Sequence, residues 1–291
     1  MGKISVVLGT YNRKHFLRLT INNVREELER FGLESEIIVI DGGSTDGTIK
    51  WLTKQKDIIS IVQHNRGSWK GKEIRRKSWG YFMNLGFKCA QGKYICMISD
   101  DCLLIPNSIV NGYKYFEEKL NSGKKIGALA FYWREWPRER NMPYRIGTVF
   151  NQIFVNHGMF LKTALEDVGY IDEKNYKFYC ADGDLCLRLK QNGYLCLASP
   201  DSYVEHYSHA NLNVRKSNLK NAKTDQDYFY KKWVNYTRTL DTKLNCLGTI
   251  NFNDKNNIGN KFKLAELKSF EITRNKIIST SKNLFKRCFR I

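Results

Sequence analysis

A chain of 291 residues with 42% hydrophobic and 13% aromatic side chains can bury a sizeable core, which excludes a wholly disordered protein and fits one large α/β domain or a domain plus an extension. Its 48 Lys and Arg against 29 Asp and Glu give a formal net charge of +19, a field that favours nucleotides, nucleic acid or an acidic membrane surface without choosing among them. No stretch approaches the ~20 apolar residues of a membrane span, and the apolar run after Met1 is too short for a signal-peptide core, so a cytoplasmic location is expected.

Ile4 to Leu8 reads as a strand and Lys14 to about Phe31 as a helix. Glu36 to Ile40 is a second strand, Ser44 to Lys54 a second helix that Ser44 or Asp46 can cap, and Ile58 to Val62 a third strand. A basic cluster, Arg66, Lys70, Lys72, Arg75, Arg76 and Lys77, precedes a helix near Trp79 to Ala90. The strand Tyr94 to Ile98 then delivers two adjacent acids, Asp100 and Asp101. This rhythm predicts a largely parallel, doubly wound sheet with its site at the strand C-termini. Paired carboxylates there suit a hard divalent cation and the phosphates it neutralises.

The pattern loosens after Pro106. A helix over Asn107 to Leu120, a strand over Ile126 to Tyr132 and an irregular basic, aromatic stretch to Arg145 are expected. A strand near Asn156 to Leu161, a short helix at Thr163 to Val168 and a helix at Asp182 to Gln191 follow. A boundary is expected after about Arg238, dividing a main domain over 1–238 from an extension over 239–291. From Lys261 to Ile291, Lys and Arg interleave with Phe, Leu and Ile at roughly helical spacing, a basic amphipathic tail that can rest on an anionic membrane. The eight cysteines include no C-x-x-C pair, so neither a zinc-finger spacing nor a disulfide framework is expected.

Four constellations occur in order: VVLGTYNR at the end of the first strand, IIVIDGGSTDGT at the second, ISDDC, and YCADGDLCLRLKQNGY opening a helix. In these the chain resembles the family 2 glycosyltransferases of the GT-A fold, over about residues 3 to 235. The resemblance implies a Rossmann-like α/β fold, with a mostly parallel central sheet flanked by helices. It implies an inverting transfer from a nucleotide-diphospho-sugar, UDP-, dTDP- or GDP-linked, to a glycan or lipid-linked acceptor, with Mn²⁺ or Mg²⁺ as cofactor. By position it implies that Thr10 and Asp41, with Tyr11 and Asn12 in the same turn, bind the nucleotide. Asp100 would contact the ribose, Asp101 would hold the metal and Asp182 would be the catalytic base. GYIDE at Gly169 to Glu173 looks like the family's turn below the acceptor site, and Tyr228 to Trp233 like its closing helix. His206 matches a position where some members supply a further metal or phosphate ligand.

Two departures stand out: Ser99 where many relatives carry an acid, and Ala181 where many have Glu. Asp184 is expected to stabilise its helix start or touch acceptor hydroxyls, and is the rival for the base. Trp133 and Trp136, flat aromatics beside Arg134 and Arg138, suit a sugar acceptor. A nucleic-acid partner is not expected, since no zinc-finger spacing, RNP-like motif or basic zipper is visible. A nucleotidyltransferase would carry a Gly-rich phosphate loop after the first strand, and GTYNRKH is a poor match.

Overall fold

The computed structural model describes residues 3–207, 212–235 and 246–268. Its first half follows the expected alternation: β1 (Ile4–Thr10), α1 (Lys14–Phe31), β2 (Ser35–Asp41), α2 (Thr48–Leu52) and β3 (Ile58–Val62). A short hairpin of β4 (Ser68–Trp69) and β5 (Lys72–Glu73) then leads to α3 (Trp79–Cys89) and β6 (Tyr94–Met97). β3, β2, β1 and β6 lie side by side and parallel. Their side chains alternate between two layers. Ile4, Val6 and Leu8 pack with Leu17, Ile21 and Val24 of α1, while Val7 packs with Met83 and Phe87 of α3. This is the period-2 burial of a central strand covered on both faces.

The second half adds antiparallel strands to that parallel core. β7 (Cys102–Leu104), α4 (Ser108–Asn121) and β8 (Ile126–Glu135) are followed by β9 (Tyr144–Val149), β10 (Gln152–Ile153) and β11 (Gly158–Leu161). α5 (Lys162–Asp167), α6 (Ala181–Gln191), β12 (Leu195–His206), α7 (Leu212–Leu219), α8 (Ala222–Trp233) and β13 (Cys246–Ile250) complete the order. β11 enters antiparallel between β6 and β8. β12 runs parallel to β8 and antiparallel to β7, setting His206 opposite Cys102.

Several boundaries differ from expectation, each for a local reason. The second helix starts at Thr48, not Ser44, with Gly47 at its cap position. Ser44 Oγ accepts from the Asn12 N–H, and Asp46 accepts from the N–H groups of both Lys14 and Thr48. The stretch expected to be irregular to Arg145 is so only over 136–143, since β8 runs on to Glu135 and β9 starts at Tyr144. β12 crosses Pro200 by shifting register between Ala198 and Tyr203, which removes the ladder bond that proline cannot donate.

The boundary expected near Arg238 lies outside the described residues, as does the tail beyond 268. β13 pairs with β9 of the main sheet. The helix over 261–268 buries Phe262 and Ala265 with Phe16 and Tyr207, and leaves Leu264 and Leu267 exposed. Among the described residues, no helix is long and apolar enough to cross a membrane.

Candidate active site

The parallel strands end at a cleft of 550 Å³. β1 delivers Thr10 beside Asp41 of β2, a direct consequence of their parallel register. Asp41 is fully buried, and its Oδ1 accepts the N–H groups of Gly43 and Ser44 at 2.7 and 2.6 Å. Burial raises its pKa, and its Oδ2 has no hydrogen-bond partner. It therefore shapes the Gly42–Ser44 turn from behind, while Gly42 itself lines the cleft. Gly43 needs its lack of a side chain: at φ 86° its Cβ would stand 3.0 Å from the His64 Cα. Asn12 stitches the first turn to the second, its Oδ1 accepting the Thr45 N–H at 2.7 Å. Tyr11 faces the cleft with the Arg66 guanidinium 4.8 Å from its ring centre.

The acid pair is held by Arg13, which no local sequence pattern singles out. Arg13 Nη1 donates to Asp100 Oδ1 and Asp101 Oδ2, both at 2.8 Å, and Thr10 Oγ1 donates to Asp100 Oδ2 at 2.7 Å. Asp100 and Asp101 are 3% and 2% exposed. Burial pushes Asp100 up to about 6, against the pull of Arg13. For Asp101 burial acts in the same direction, but Arg13 and His206 outweigh it and leave it at about 2. The backbone of this turn is fixed by α1. Thr20 Oγ1 donates to the carbonyls of Asp100 and Cys102, and Asn23 exchanges two hydrogen bonds with the Leu104 backbone. Glu27 accepts the N–H groups of Asn107 and Ile109. Polar residues at 20, 23 and 27 share one helix face, and their place in an otherwise apolar stripe was the signal available in the sequence.

His206 lies beside this pair, its Nε2 3.5 Å from Asp101 Oδ1. Arg13 uses the other oxygen of Asp101, so Oδ1 is buried, unpartnered and turned to the imidazole. A carboxylate oxygen and an imidazole nitrogen so placed fit a divalent cation such as Mn²⁺. His157 sits behind them, fully buried, and burial lowers its pKa to about 3.

Asp182 lines the cleft from the first turn of α6. It is half-buried, its Oδ1 accepts only the Gly183 N–H, and burial raises its pKa. It is not the helix cap; Cys180, in the left-handed region at φ 64°, takes that place. Asp225 of α8 fixes the approach to α6 by accepting the N–H groups of Lys177, Phe178 and Tyr179 at 2.8 to 2.9 Å.

Three expected acceptor residues fall elsewhere. Asp184 is fully buried, its carboxylate meeting Lys232, Arg188, Trp233 and Tyr176. It ties α8 to α6 and has no face left for an acceptor. Trp136 is 3% exposed and packs against Gly259. Trp133 lies behind His206, ring centres 6.2 Å apart, with the Arg145 guanidinium over its other side. The basic cluster divides: Arg66, Arg76 and Lys77 line the cleft, while Lys70, Lys72 and Arg75 stay exposed on or beside the hairpin. Arg76 donates to Ser217 and Asn218, so it also anchors α7 at the cleft mouth.

The sequence profile described as Glycosyl transferase family 2 matches residues 5–163. A poly(ribitol-phosphate) beta-N-acetylglucosaminyltransferase, TarP, of Staphylococcus aureus (strain N315) is 28% identical over 129 residues, 44% of this chain and 36% of that protein. An uncharacterized glycosyltransferase of Rickettsia bellii is 31% identical over 120 residues, 40% of this chain and 15% of its own length. The matched regions thus span less than half the length of these curated relatives. Among solved structures, the mannosyltransferase PcManGT of Pyrobaculum calidifontis, in complex with GDP-Man and Mn²⁺, superposes with a TM-score of 0.55 at 17% identity, covering 84% of this chain and 66% of that one. S. aureus TarS 1-349 superposes at 0.52 and 16% identity, covering 81% and 73%; its complex with UDP-GlcNAc gives 0.50. These likenesses agree with the sheet order in giving the GT-A, Rossmann-like α/β fold.

Proposed function

The chain belongs to glycosyl transferase family 2, and on that footing we propose a metal-dependent, inverting glycosyltransferase. It would move a sugar from a nucleotide-diphospho-sugar to a hydroxyl of a saccharide or lipid-linked saccharide. The observation that carries this reading is one cleft faced by the Asp100–Asp101 pair at the strand ends and by Asp182 on α6. The neighbours bound to GDP-Man with Mn²⁺ and to UDP-GlcNAc support the donor class and the metal.

Asp101 and His206 would hold Mn²⁺ or Mg²⁺, which when bound neutralises charge on the departing diphosphate. Thr10, Tyr11 and Asp100 face the nucleoside, with Asp41 supporting the turn beneath it. Arg66, Arg76 and Lys77 supply positive charge along the same wall for the diphosphate. Asp182 takes the proton of the acceptor hydroxyl as that oxygen attacks the anomeric carbon from the opposite face. A carboxylate whose pKa is raised by burial is a stronger base once ionised. One displacement inverts the configuration, and no covalent nucleophile is required. The net charge of +19 suits an acceptor that carries phosphate. Exposed Leu264 and Leu267 among Lys261, Lys263 and Lys268 support contact of this end with an anionic membrane surface.

A thermal-shift panel of UDP-, dTDP- and GDP-linked sugars, with and without Mn²⁺, tests the reading. A donor at 100 times its Kd adds about 2.7 kcal/mol to the folded state, so the correct one raises Tm, and more so with the metal. A panel in which no sugar nucleotide moves the midpoint would count against it.

A further inference from the structure

Behind Asp101, the cleft wall places two side chains that the reaction above does not use, Cys102 and His157, beside His206. The β7–β12 register sets His206 opposite Cys102, and the turn into β11 brings in His157. One donor atom from each of the three lies within 4.8 Å of the others. His157 Nε2 is 3.1 Å from Cys102 Sγ and 3.3 Å from Ser99 Oγ, and the two imidazole centres are 5.0 Å apart. Cys102 and His157 are fully buried. His157 Nδ1, His206 Nδ1 and Asp101 Oδ1 are all buried without a hydrogen-bond partner. Buried polar atoms without a partner are unfavourable, and a ligand in this wall would satisfy some of them.

We propose that Cys102, His157 and His206 form a binding site for a thiophilic divalent cation of the zinc class, with solvent in the remaining position. One sulfur and two imidazole nitrogens make a donor set that zinc accepts, whereas Mg²⁺ requires oxygen. Bonds of ~2.0–2.3 Å to a tetrahedral ion place donors about 3.3–3.8 Å apart. The Cys102–His157 separation, 3.1 Å, already lies close to that range. On binding, the sulfur–metal bond forms as the Cys102 thiol proton leaves to solvent, and the imidazoles bind through neutral nitrogens. All three protein donors belong to the chain, so the ion binds without nucleotide. A metal held in part by a bound nucleotide donor would depend on that donor. Because His206 serves both and lies 3.5 Å from Asp101 Oδ1, an ion seated here competes for one of the donor metal's ligands.

The test is a Co²⁺ titration of the purified full-length chain without nucleotide, followed by absorption. One equivalent should bind, giving a thiolate-to-cobalt charge-transfer band in the near ultraviolet and the intense visible bands of a four-coordinate ion. Zn²⁺ should displace it and Mg²⁺ should not. Cys102→Ser should remove the charge-transfer band and weaken Co²⁺ binding at least about tenfold, the loss of one metal ligand. His157→Gln should weaken binding to a similar degree while keeping the band. A wild-type chain without the thiolate band, or a band that survives Cys102→Ser, overturns the assignment. If Cys102→Ser does not fold, unchanged Co²⁺ affinity in His157→Gln overturns it equally. An intact cobalt band beside a failed sugar-nucleotide panel would sink the proposed reaction and leave this site standing.

Discussion

Replacing Asp184 with Asn tests whether the two acids of α6 have separate tasks. The buried Asp184 carboxylate meets Lys232 Nζ at 2.6 Å, Arg188 Nε at 2.8 Å, Trp233 Nε1 at 3.0 Å and Tyr176 Oη at 3.1 Å. Asn keeps the shape and one acceptor but removes the charge on which two cations converge. Removing one partner of a buried ion pair costs about 3–5 kcal/mol. Arg188 and Lys232 keep 17% and 28% of their side chains exposed, and Arg188 also donates to the carbonyls of Val168 and Tyr170. Water and those carbonyls soften the loss, which places it near the lower end, about 3 kcal/mol. At roughly 2–4 °C per kcal/mol for a chain of this size, Tm should fall by about 6–12 °C. Asp182→Asn, melted in parallel by circular dichroism, should not show this. Its raised folded-state pKa means that the fold favours the protonated acid, so above the unfolded pKa the ionised group opposes folding. A neutral amide there leaves Tm unchanged or slightly higher. A Tm for Asp184→Asn within about 2 °C of wild type would refute the assignment of Asp184 to the α6–α8 junction.

Arg13→Ala should leave two neighbouring buried carboxylates with one cation fewer. Since Asp100 already titrates near 6 with Arg13 present, its folded pKa rises further in the variant. The stability deficit should therefore grow as pH rises through about 6 and shrink at acid pH; melts at several pH values measure it, and a deficit independent of pH would contradict the reasoning. Asp101→Ala should erase the Mn²⁺-dependent part of nucleotide affinity in calorimetry while the fold survives; undiminished affinity would place the metal elsewhere. Arg134→Met breaks a buried, bidentate pair with Glu205, which also accepts from Tyr144 Oη. It should cost about 3–5 kcal/mol in denaturant unfolding, with donor affinity unchanged because the pair is not part of the cleft wall.

Much of the parallel half was legible because each element there carries a local signal. Apolar runs such as Ile4–Leu8 and Tyr94–Ile98 are short and bounded by glycine or helical periodicity, and they became β1 and β6 nearly in place. The second half was harder because its strands do not look like strands. β12 contains Pro200 and Asp201 and survives only through a shifted register, and β9 is recognisable only by its pairing with β8, β10 and β13. The acids at the strand ends could be read from their positions. What holds them could not: Arg13 meets Asp100 and Asp101 across 87 and 88 residues of chain. Composition likewise could not separate Asp182 from Asp184, two residues apart on one helix. Helical geometry sends one to the cleft and the other into the core.

Turnover and donor affinity of Asp182→Asn, measured beside wild type with the sugar nucleotide that the binding panel selects, test the central claim most directly. The account predicts a rate lower by ~10²–10⁴, the usual loss for a general base. It also predicts Mn²⁺-dependent donor binding close to wild type, and a wild-type product whose anomeric configuration is opposite to that of the donor. An Asp182→Asn protein that transfers sugar at the wild-type rate would contradict it.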